Sequence, residues 1–153
     1  MQKEPVKSPA SPASVNKGIL SVSGFTINGI VVHGNHLGRT IGFPTANIQP
    51  GDKEKKVFPH GVFLVNVLLD DRILPGVCNI GLRPTIGGTQ LVTEVHILDF
   101  SEDIYGKEIS VTIMKSIRKE KKFSTLDELG NQIRLDKEKA RRLLSMLNKQ
   151  KAG

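Results

Sequence analysis

The stretch FLVNVLLDDRILPGVCNI, residues 63–80, contains two apolar segments joined by a turn signal. In the first segment every second residue is apolar, and the less regular partner set includes Asn66. The pair Asp70-Asp71 follows, and apolar residues resume over residues 74–80. Because side chains alternate between the two faces of a strand, and because Asp favours tight turns, the stretch predicts an antiparallel hairpin. The face directed at a core is predicted to carry Phe63, Val65, Val67 and Leu69.

The same period of two recurs before and after this hairpin. It covers residues 25–31 and 109–113, and a shorter strand candidate covers residues 91–100. Turn signals separate these segments at Gly87-Gly88 and at residues 103–106. Five or more short strands with turns between them predict a mainly β protein, an antiparallel barrel or sandwich rather than a βαβ fold. The alternate positions of the two outer segments are Phe25, Ile27, Gly29 and Val31, and Ile109, Val111 and Ile113.

The hydrophobic period becomes that of a helix after residue 123. Ser124 can cap a helix N-terminus, with the acidic residue Asp127 three positions later. Asp136 can begin a second helix. We therefore predict two amphipathic helices that cover an open end of the barrel. Their apolar stripes are Leu126, Leu129 and Ile133 in the first helix, and Ala140, Leu143, Leu144 and Leu147 in the second.

The composition indicates one folded domain with a basic surface. The chain has 153 residues, 38% of them hydrophobic, and its 22 Lys and Arg against 15 Asp and Glu give a formal charge of +7. This charge suits an anionic partner such as a nucleic acid, a phosphorylated small molecule or a membrane headgroup. Proteins that bind single-stranded nucleic acid stack its bases on aromatic rings, so the scarcity of aromatic residues counts against that partner.

Cysteine content and the N-terminal sequence set further bounds. The single cysteine, Cys78, excludes an internal disulfide framework and favours a reducing compartment. No apolar run reaches the length of a membrane span. Pro, Ser, Ala and Lys dominate residues 1–17, which are predicted to form a disordered tail because they cannot bury enough apolar surface to offset their ordering entropy. Residues 18–150 are predicted to form the folded domain.

Glycines recur every four residues at positions 34, 38 and 42, with Arg39 between the last two. Glycine lets a backbone approach a phosphate group closely, and successive N–H groups can bind an anion. The spacing differs from that of a P-loop, which has four residues between its glycines and then Lys. A turn-rich loop that needs positive φ angles explains the glycines about as well. The pattern alone therefore leaves phosphate binding and a structural turn both open.

Thr45 and Asn47 follow Pro44 and lie on the same side of an extended backbone. Hydroxyl and amide oxygens are hard ligands that suit Mg²⁺ and the polar groups of a nucleotide. The alternative interpretation is a polar strand edge or turn, which composition alone favours.

Glu94 and His96 alternate with Thr93, Val95 and Ile97, which form the more apolar face of their segment. A carboxylate on the other face can act as a general base if a substrate hydroxyl binds beside it. A solvated strand face is the simpler explanation. The four histidines and Cys78 lack the spacing of a zinc site. The basic stretch at residues 118–122 can bind an anion or form an ordinary solvated loop.

Four blocks of the sequence resemble the riboflavin kinase family in the same order. They are GNHLGRTIGFPTANI (residues 34–48), NIGLRPTIGG (79–88), TEVHILDFSEDIYGKEI (93–109) and IRKEKKFSTLDEL (117–129). The resemblance extends from about residue 23 to residue 147. It implies a six-stranded antiparallel Greek-key β-barrel with C-terminal α-helices. It also implies transfer of the γ-phosphoryl group of ATP to the ribityl 5′-hydroxyl of riboflavin, with Mg²⁺, to give FMN and ADP.

The resemblance assigns roles to individual residues. Glu94 is the implied general base, and Thr45 and Asn47 are implied to hold the metal and the phosphates. The loop after residue 118 is implied to fold over the flavin through Arg118, Lys121 and Phe123. The ATP phosphates are implied to lie under a loop that contributes Gly34, His36, Leu37, Gly38, Arg39 and Gly42.

The implied partners are riboflavin or FMN and ATP or ADP, for a monomeric cytoplasmic enzyme without a nucleic-acid or membrane partner. Bacterial relatives usually carry a nucleotidyltransferase domain before the kinase. Only the predicted tail precedes the kinase blocks here, so FMN adenylylation is not expected of these residues. Two other interpretations stay open. One is a basic β-barrel that binds RNA or DNA through its charge. The other is an inactive flavin-binding protein, against which Thr45, Asn47 and Glu94 argue.

Overall fold

A computed structural model describes residues 24–34, 45–51 and 58–152 of the chain. These residues form a mainly β structure with a single long helix at the C-terminal end. Its elements are β1 (Thr26–Val32), β2 (Ala46–Pro50), β3 (Gly61–Leu69), β4 (Arg72–Thr85), β5 (Gly88–Ile97), β6 (Glu108–Arg118) and α1 (Leu126–Ala152). The predicted tail at residues 1–17 lies outside the described part.

The six strands close into an antiparallel barrel with the order β1-β2-β5-β4-β3-β6. Successive hairpins connect β3 to β4 and β4 to β5, and β6 returns to pair with β3. Three hairpin-connected strands and a fourth beside the first define a Greek key. The predicted six-stranded Greek-key barrel is therefore confirmed.

The barrel interior is filled by the alternate apolar residues of the strands. The side chains of Phe63, Val65, Val67 and Leu69 are all buried in one cluster, as the period of two predicted. Ile27 and Val31 from β1, and the three apolar residues predicted for β6, belong to the same cluster. Burial of these aliphatic side chains supplies the main favourable term in folding.

Two-residue turns close both hairpins. Asp70-Asp71 forms the first, between the paired residues Leu69 and Arg72, and Asp70 has a φ of 53°. The second consists of Ile86 and Gly87, one position earlier than predicted, because Gly88 already pairs with Thr85. Gly87 has a φ of 89°, which glycine adopts without steric cost. The predicted turn at residues 103–106 is present before β6.

One continuous helix of 27 residues is present where the sequence predicted two. Asp136 lies within it and is buried, so it does not begin a helix. The N-terminal cap is Thr125 rather than Ser124. The Thr125 hydroxyl accepts a hydrogen bond from the Glu128 amide at 3.1 Å, and the Glu128 carboxylate accepts one from the Ser124 amide at 3.1 Å. This arrangement is a variant of the capping box, because Glu128 bonds to the residue before the cap, and the cap lies one residue after the predicted one.

Helix α1 packs on the outer face of the barrel, whereas the sequence predicted cover for an open end. Val62 and Leu64 point out of β3 and are buried against Ala140 of the helix. Leu143, Leu144 and Leu147 complete the contact, as members of the predicted apolar stripe. The first half of β3 is thus apolar on both faces because both faces are covered. Across the described ranges, no helix combines the length and apolar character that a membrane span requires.

Candidate functional site

A lateral row of polar side chains crosses the outer face of the barrel. The strand register pairs Asn47 of β2 with Glu94 of β5, and Glu94 with Asn79 of β4. The row continues through Val62 of β3 to Arg118 at the end of β6. Directly paired residues of antiparallel strands point to the same face, and the sequence neighbours of these three polar residues belong to the interior core. A carboxylate flanked by two amides therefore lies outside the barrel wall.

Glu94 is half-buried at the centre of this row. Burial raises the pKa of its carboxyl group, because the charged form loses hydration, and the positive charge of Arg83 partly opposes that effect. A carboxylate with a raised pKa accepts a proton more readily than an ordinary surface glutamate does. The base assignment of Glu94 remains a prediction, with which a raised pKa is consistent.

Gly34 and Asn47 are in close contact. They are the first and last of the residues predicted to hold the ATP phosphates. A side-chain carbon at Gly34 would overlap the Asn47 amide group. Gly34 therefore leaves the space that the Asn47 side chain occupies. This contact supports a structural reason for a glycine at position 34 that is independent of its φ angle.

A cavity of about 380 Å³ opens beside Thr45, at the end of β1 and β5. Its walls are mixed, with aliphatic groups from the barrel, two aromatic rings, three hydroxyl groups and the carboxylates of Glu102 and Asp103. A concave site that combines apolar walls with convergent polar groups is typical of small-molecule binding. The residues that characterise it are Val31, Ile97, Phe100, Ser101 and Tyr105.

The segment after β6 reaches across β3 to β4. Glu120 accepts a hydrogen bond from Arg83 Nη1 at 3.0 Å, and its carboxylate lies on Gly81, where any side-chain carbon would overlap it. Arg83 and Glu120 keep 43% and 32% of their side-chain surface exposed, so this ion pair contributes little to stability. The ion pair instead fixes the position of the segment after β6, which it holds beside the face that carries Glu94.

The three predicted flavin-binding residues form one cluster after β6. The Phe123 ring lies 5.7 Å from the Arg118 guanidinium and 5.6 Å from the Lys121 ammonium group. Arg118 is also engaged with Asp136 of α1, to which its Nε donates at 2.8 Å and its Nη2 at 2.9 Å. Gln132 donates to the same carboxylate at 3.0 Å. Arg118 therefore joins β6 to the helix as well as facing Phe123.

Part of the predicted phosphate-binding loop lies outside the described residues, namely His36, Leu37, Gly38, Arg39 and Gly42. The metal ligands predicted at Thr45 and Asn47 are described and both are half-buried. Their oxygen donors fit Mg²⁺, which usually takes few protein ligands and completes its shell with phosphate oxygens and water. Among residues 24–34, 45–51 and 58–152, no three His, Cys, Asp or Glu side chains gather as a metal cluster.

No functional role was predicted from the sequence for Asn79, Arg83, Glu120 or Asp136. Asn79 and Arg83 lie within the block NIGLRPTIGG that carries the family resemblance, so this block was the available signal. Glu120 lies within the basic stretch at residues 118–122, for which an ordinary solvated loop was one of the two interpretations. Asp136 was interpreted as a helix start, because the same residue type caps helices and pairs with arginine.

Comparison with known proteins identifies the family of this chain. The family model "Flavokinase: Riboflavin kinase" matches residues 22–144. The bifunctional riboflavin kinase/FMN adenylyltransferase of Escherichia coli strain K12 is 49% identical over 124 residues, which are 80% of this chain and 39% of the relative. The RNA-binding riboflavin kinase RibR of Bacillus subtilis is 40% identical over 111 residues, 72% of this chain and 47% of that protein.

Among solved structures, the riboflavin kinase of Trypanosoma brucei matches with a TM-score of 0.56 and 26% identity, over 82% of each chain. This chain spans about two fifths of the length of the bifunctional relative and about half that of RibR. The family match covers most of the chain, including all six strands and the first two thirds of α1. The chain belongs to the riboflavin kinase family.

Proposed function

We propose that this chain transfers the γ-phosphoryl group of ATP to the ribityl 5′-hydroxyl of riboflavin, giving FMN and ADP. The observation that carries the proposal is the half-buried Glu94 carboxylate, set between two amides on a row that ends at the Arg118–Phe123 cluster. A substrate hydroxyl that binds at Glu94 has a base beside it. Asn47, on the β2 side of Glu94, can then contact the phosphates of ATP. Family membership supplies the substrate class.

The nucleotide is proposed to lie on the β2 side of Glu94. The cavity beside Thr45 has aliphatic and aromatic walls that suit a planar base, and Thr45 and Asn47 then lie towards the phosphates. These two residues would hold Mg²⁺, which neutralises charge on the phosphate oxygens during transfer. Both are uncharged ligands, so they leave the positive charge of the metal available to the phosphates.

The flavin is proposed to lie on the β4 side of Glu94. The register places Arg118 three strands away from Glu94, with Val62 between them covered by α1, so the substrate cannot lie straight along the row. The segment after β6 instead returns to Arg83 of β4 through Glu120, and a substrate with its hydroxyl at Glu94 is proposed to have its ring system near Phe123 of that segment. The aromatic and cationic groups at Phe123, Arg118 and Lys121 can contact the ring.

Glu94 is proposed to act as the general base. Its carboxylate takes the proton of the 5′-hydroxyl while that oxygen forms a bond to the γ-phosphorus. The bond between the γ-phosphorus and the β–γ bridging oxygen breaks, and ADP leaves with the electron pair. Because phosphoryl transfer depends mainly on positioning and charge neutralisation, one carboxylate suffices for the proton.

The direct test mixes the purified chain with riboflavin, ATP and Mg²⁺ and separates flavins by chromatography. We expect FMN to form at a rate proportional to enzyme, with one ADP per FMN. FMN formation without ATP, or no FMN with all components present, would contradict the proposal. We also propose a cytoplasmic monomer, for which light scattering after size-exclusion chromatography measures the oligomeric state.

Nucleic-acid binding is the alternative function, and the name of the RibR relative makes it worth measuring. We propose that this chain has no nucleic-acid partner. Fluorescence anisotropy with labelled single-stranded RNA at low and physiological salt separates the two. Affinity that persists at physiological salt would favour the alternative, because a nonspecific ionic contact weakens steeply with salt.

Thr45→Ala is expected to raise the KM for Mg²⁺-ATP and to lower kcat by about tenfold or more, because one oxygen ligand is lost. The KM for riboflavin should stay within about twofold. Initial rates over a matrix of Mg²⁺ and ATP concentrations measure both. Thr125→Ala, which removes the helix cap instead, serves as a control for a general loss of stability. An unchanged Mg²⁺ requirement would remove Thr45 from the metal site.

Arg83→Gln is expected to move the acidic limb of the pH profile of kcat/KM to higher pH. A nearby cation stabilises the ionised carboxylate, so its loss raises the pKa of Glu94 further above its ordinary value, which burial has already raised. Glu120→Gln breaks the same ion pair but keeps the cation, and its acidic limb should not move upward. Equal upward shifts in both variants would assign the limb to the position of the loop.

A further inference from the structure

Asn79 presents a buried amide oxygen to the face that carries Glu94. It is the β4 residue paired with Glu94, and Val62 of β3 flanks it on the other side. Its Oδ1 atom is buried and finds no hydrogen-bond donor within the described residues. Leaving a buried acceptor without a donor costs stability, so most such atoms in native proteins have partners. An exception beside a candidate base therefore calls for a ligand.

The chemistry of this position limits which group the ligand can present to Asn79. The missing group must donate a hydrogen bond, and it must reach the outer face between β5 and the segment that ends at Phe123. The proposed acceptor substrate carries several hydroxyls between its reacting end and its ring. A hydroxyl donates one hydrogen bond and accepts two, so it matches either end of the Asn79 amide. The nucleotide lies on the opposite side of Glu94.

We propose that Asn79 is a specificity-determining residue, which accepts a hydrogen bond from a hydroxyl of the acceptor's polyol chain next to the one that is phosphorylated. The inference rests on the proposed function. Asn79 then selects a polyhydroxylated chain over a plain alkyl alcohol at the same distance. The cost of its unpaired oxygen in the free protein is recovered when substrate binds.

Thr93 provides a matched control on the neighbouring strand. Its Oγ1 is also buried without a hydrogen-bond partner within the described residues, but its side chain is 1% exposed and points into the barrel, away from Glu94. Thr93→Val removes that hydroxyl with almost no change in shape. It should raise or preserve thermal stability and leave all kinetic constants within about twofold. The Thr93→Val variant thus measures the effect on stability and kinetics of an unpaired buried oxygen that no substrate reaches.

The test compares wild type and Asn79→Leu on two acceptors. They are riboflavin and 7,8-dimethyl-10-(5-hydroxypentyl)isoalloxazine, which keeps the ring system and the terminal hydroxyl and lacks the other three hydroxyls. Asn79→Leu removes the amide and keeps a similar size. We expect kcat/KM for riboflavin to fall about tenfold or more, and kcat/KM for the analogue to change less than about twofold. The KM for ATP should stay unchanged, and the thermal midpoint of unfolding should not fall.

Three outcomes would overturn the proposal. They are equal losses on both acceptors, a loss on riboflavin accompanied by a lower thermal midpoint, or no loss at all. If Asn79→Leu does not fold, Asn79→Ala is measured in the same way. Quenching of flavin fluorescence gives the affinities for both acceptors without turnover. A wild-type protein that prefers riboflavin in binding but forms no FMN would contradict the kinase proposal and leave the Asn79 preference to be judged from those affinities.

Discussion

Glu94→Gln is expected to lower kcat by about 10²- to 10⁴-fold, which is the usual contribution of a positioned general base. Glutamine keeps the shape and the hydrogen-bonding capacity of the side chain but cannot take the hydroxyl proton. The affinity for riboflavin, measured by fluorescence quenching, should change less than about threefold. Single-turnover measurement of FMN separates the chemical step from product release.

The same substitution should leave the protein more stable at neutral pH. Burial raises the folded-state pKa of Glu94, so the folded protein holds its proton more tightly than the unfolded chain does. Stability therefore falls as the pH rises from the ordinary glutamate pKa through the folded-state value, and the loss persists above it. A neutral glutamine lacks this penalty. Urea unfolding at pH 4 and pH 7 should show that the stability gain is larger at pH 7.

Glu138→Gln is the control for the loss of one negative charge. Glu138 lies exposed on α1, so both activity and stability should stay close to wild type. Full activity in Glu94→Gln would remove the base assignment. A large loss of riboflavin affinity in that variant would instead indicate that Glu94 mainly holds the substrate.

The strands could be predicted because burial on one face imposes a period of two on the sequence. Phe63, Val65 and Val67 show that period, and all three are buried in the barrel. The position of α1 could have been predicted in part. Val62 and Leu64 are apolar on the other face of the same strand, which indicates cover on both sides.

The helix boundary could not be predicted from residue types alone. Asp136 and Ser124 are both suitable caps, yet Asp136 is the buried partner of Arg118 and the cap is Thr125. An aspartate that begins a helix and one that pairs with an arginine from another element look the same in a sequence. Only the packing of α1 against β6 distinguishes them.

The face that carries Glu94 could be predicted because it follows from one strand, whereas its neighbours on other strands depend on register and could not. The alternation around Glu94 indicated which residues share its face. The contact of Glu94 with Asn79, and the approach of Glu120 to Arg83, depend on how β4 aligns with β5 and where the segment after β6 returns. Pairing between distant segments leaves no periodic signal in a single sequence.

Arg118→Met is expected to destabilise the protein by about 3–5 kcal/mol, because it leaves the Asp136 carboxylate buried without its cation. Asp136 keeps only 5% of its side-chain surface exposed, and Arg118 keeps 18%. Gln132 still donates one hydrogen bond to that carboxylate but brings no charge. Urea unfolding followed by fluorescence or circular dichroism measures the loss. A change below about 1 kcal/mol would mean that the pair behaves as an exposed one.

The double variant Arg118→Met/Asp136→Leu separates this structural role from the predicted flavin contact. Removing both charges replaces the ion pair with apolar groups, which should return stability to within about 1 kcal/mol of wild type or above it. If Arg118 also contacts the flavin, riboflavin affinity stays low in the stable double variant, because the cation beside Phe123 is still missing. Asp136→Leu alone keeps that cation and should bind riboflavin more tightly than the double variant. A double variant that regains both stability and riboflavin affinity would give Arg118 a structural role alone and leave Lys121 as the cation at the Phe123 ring.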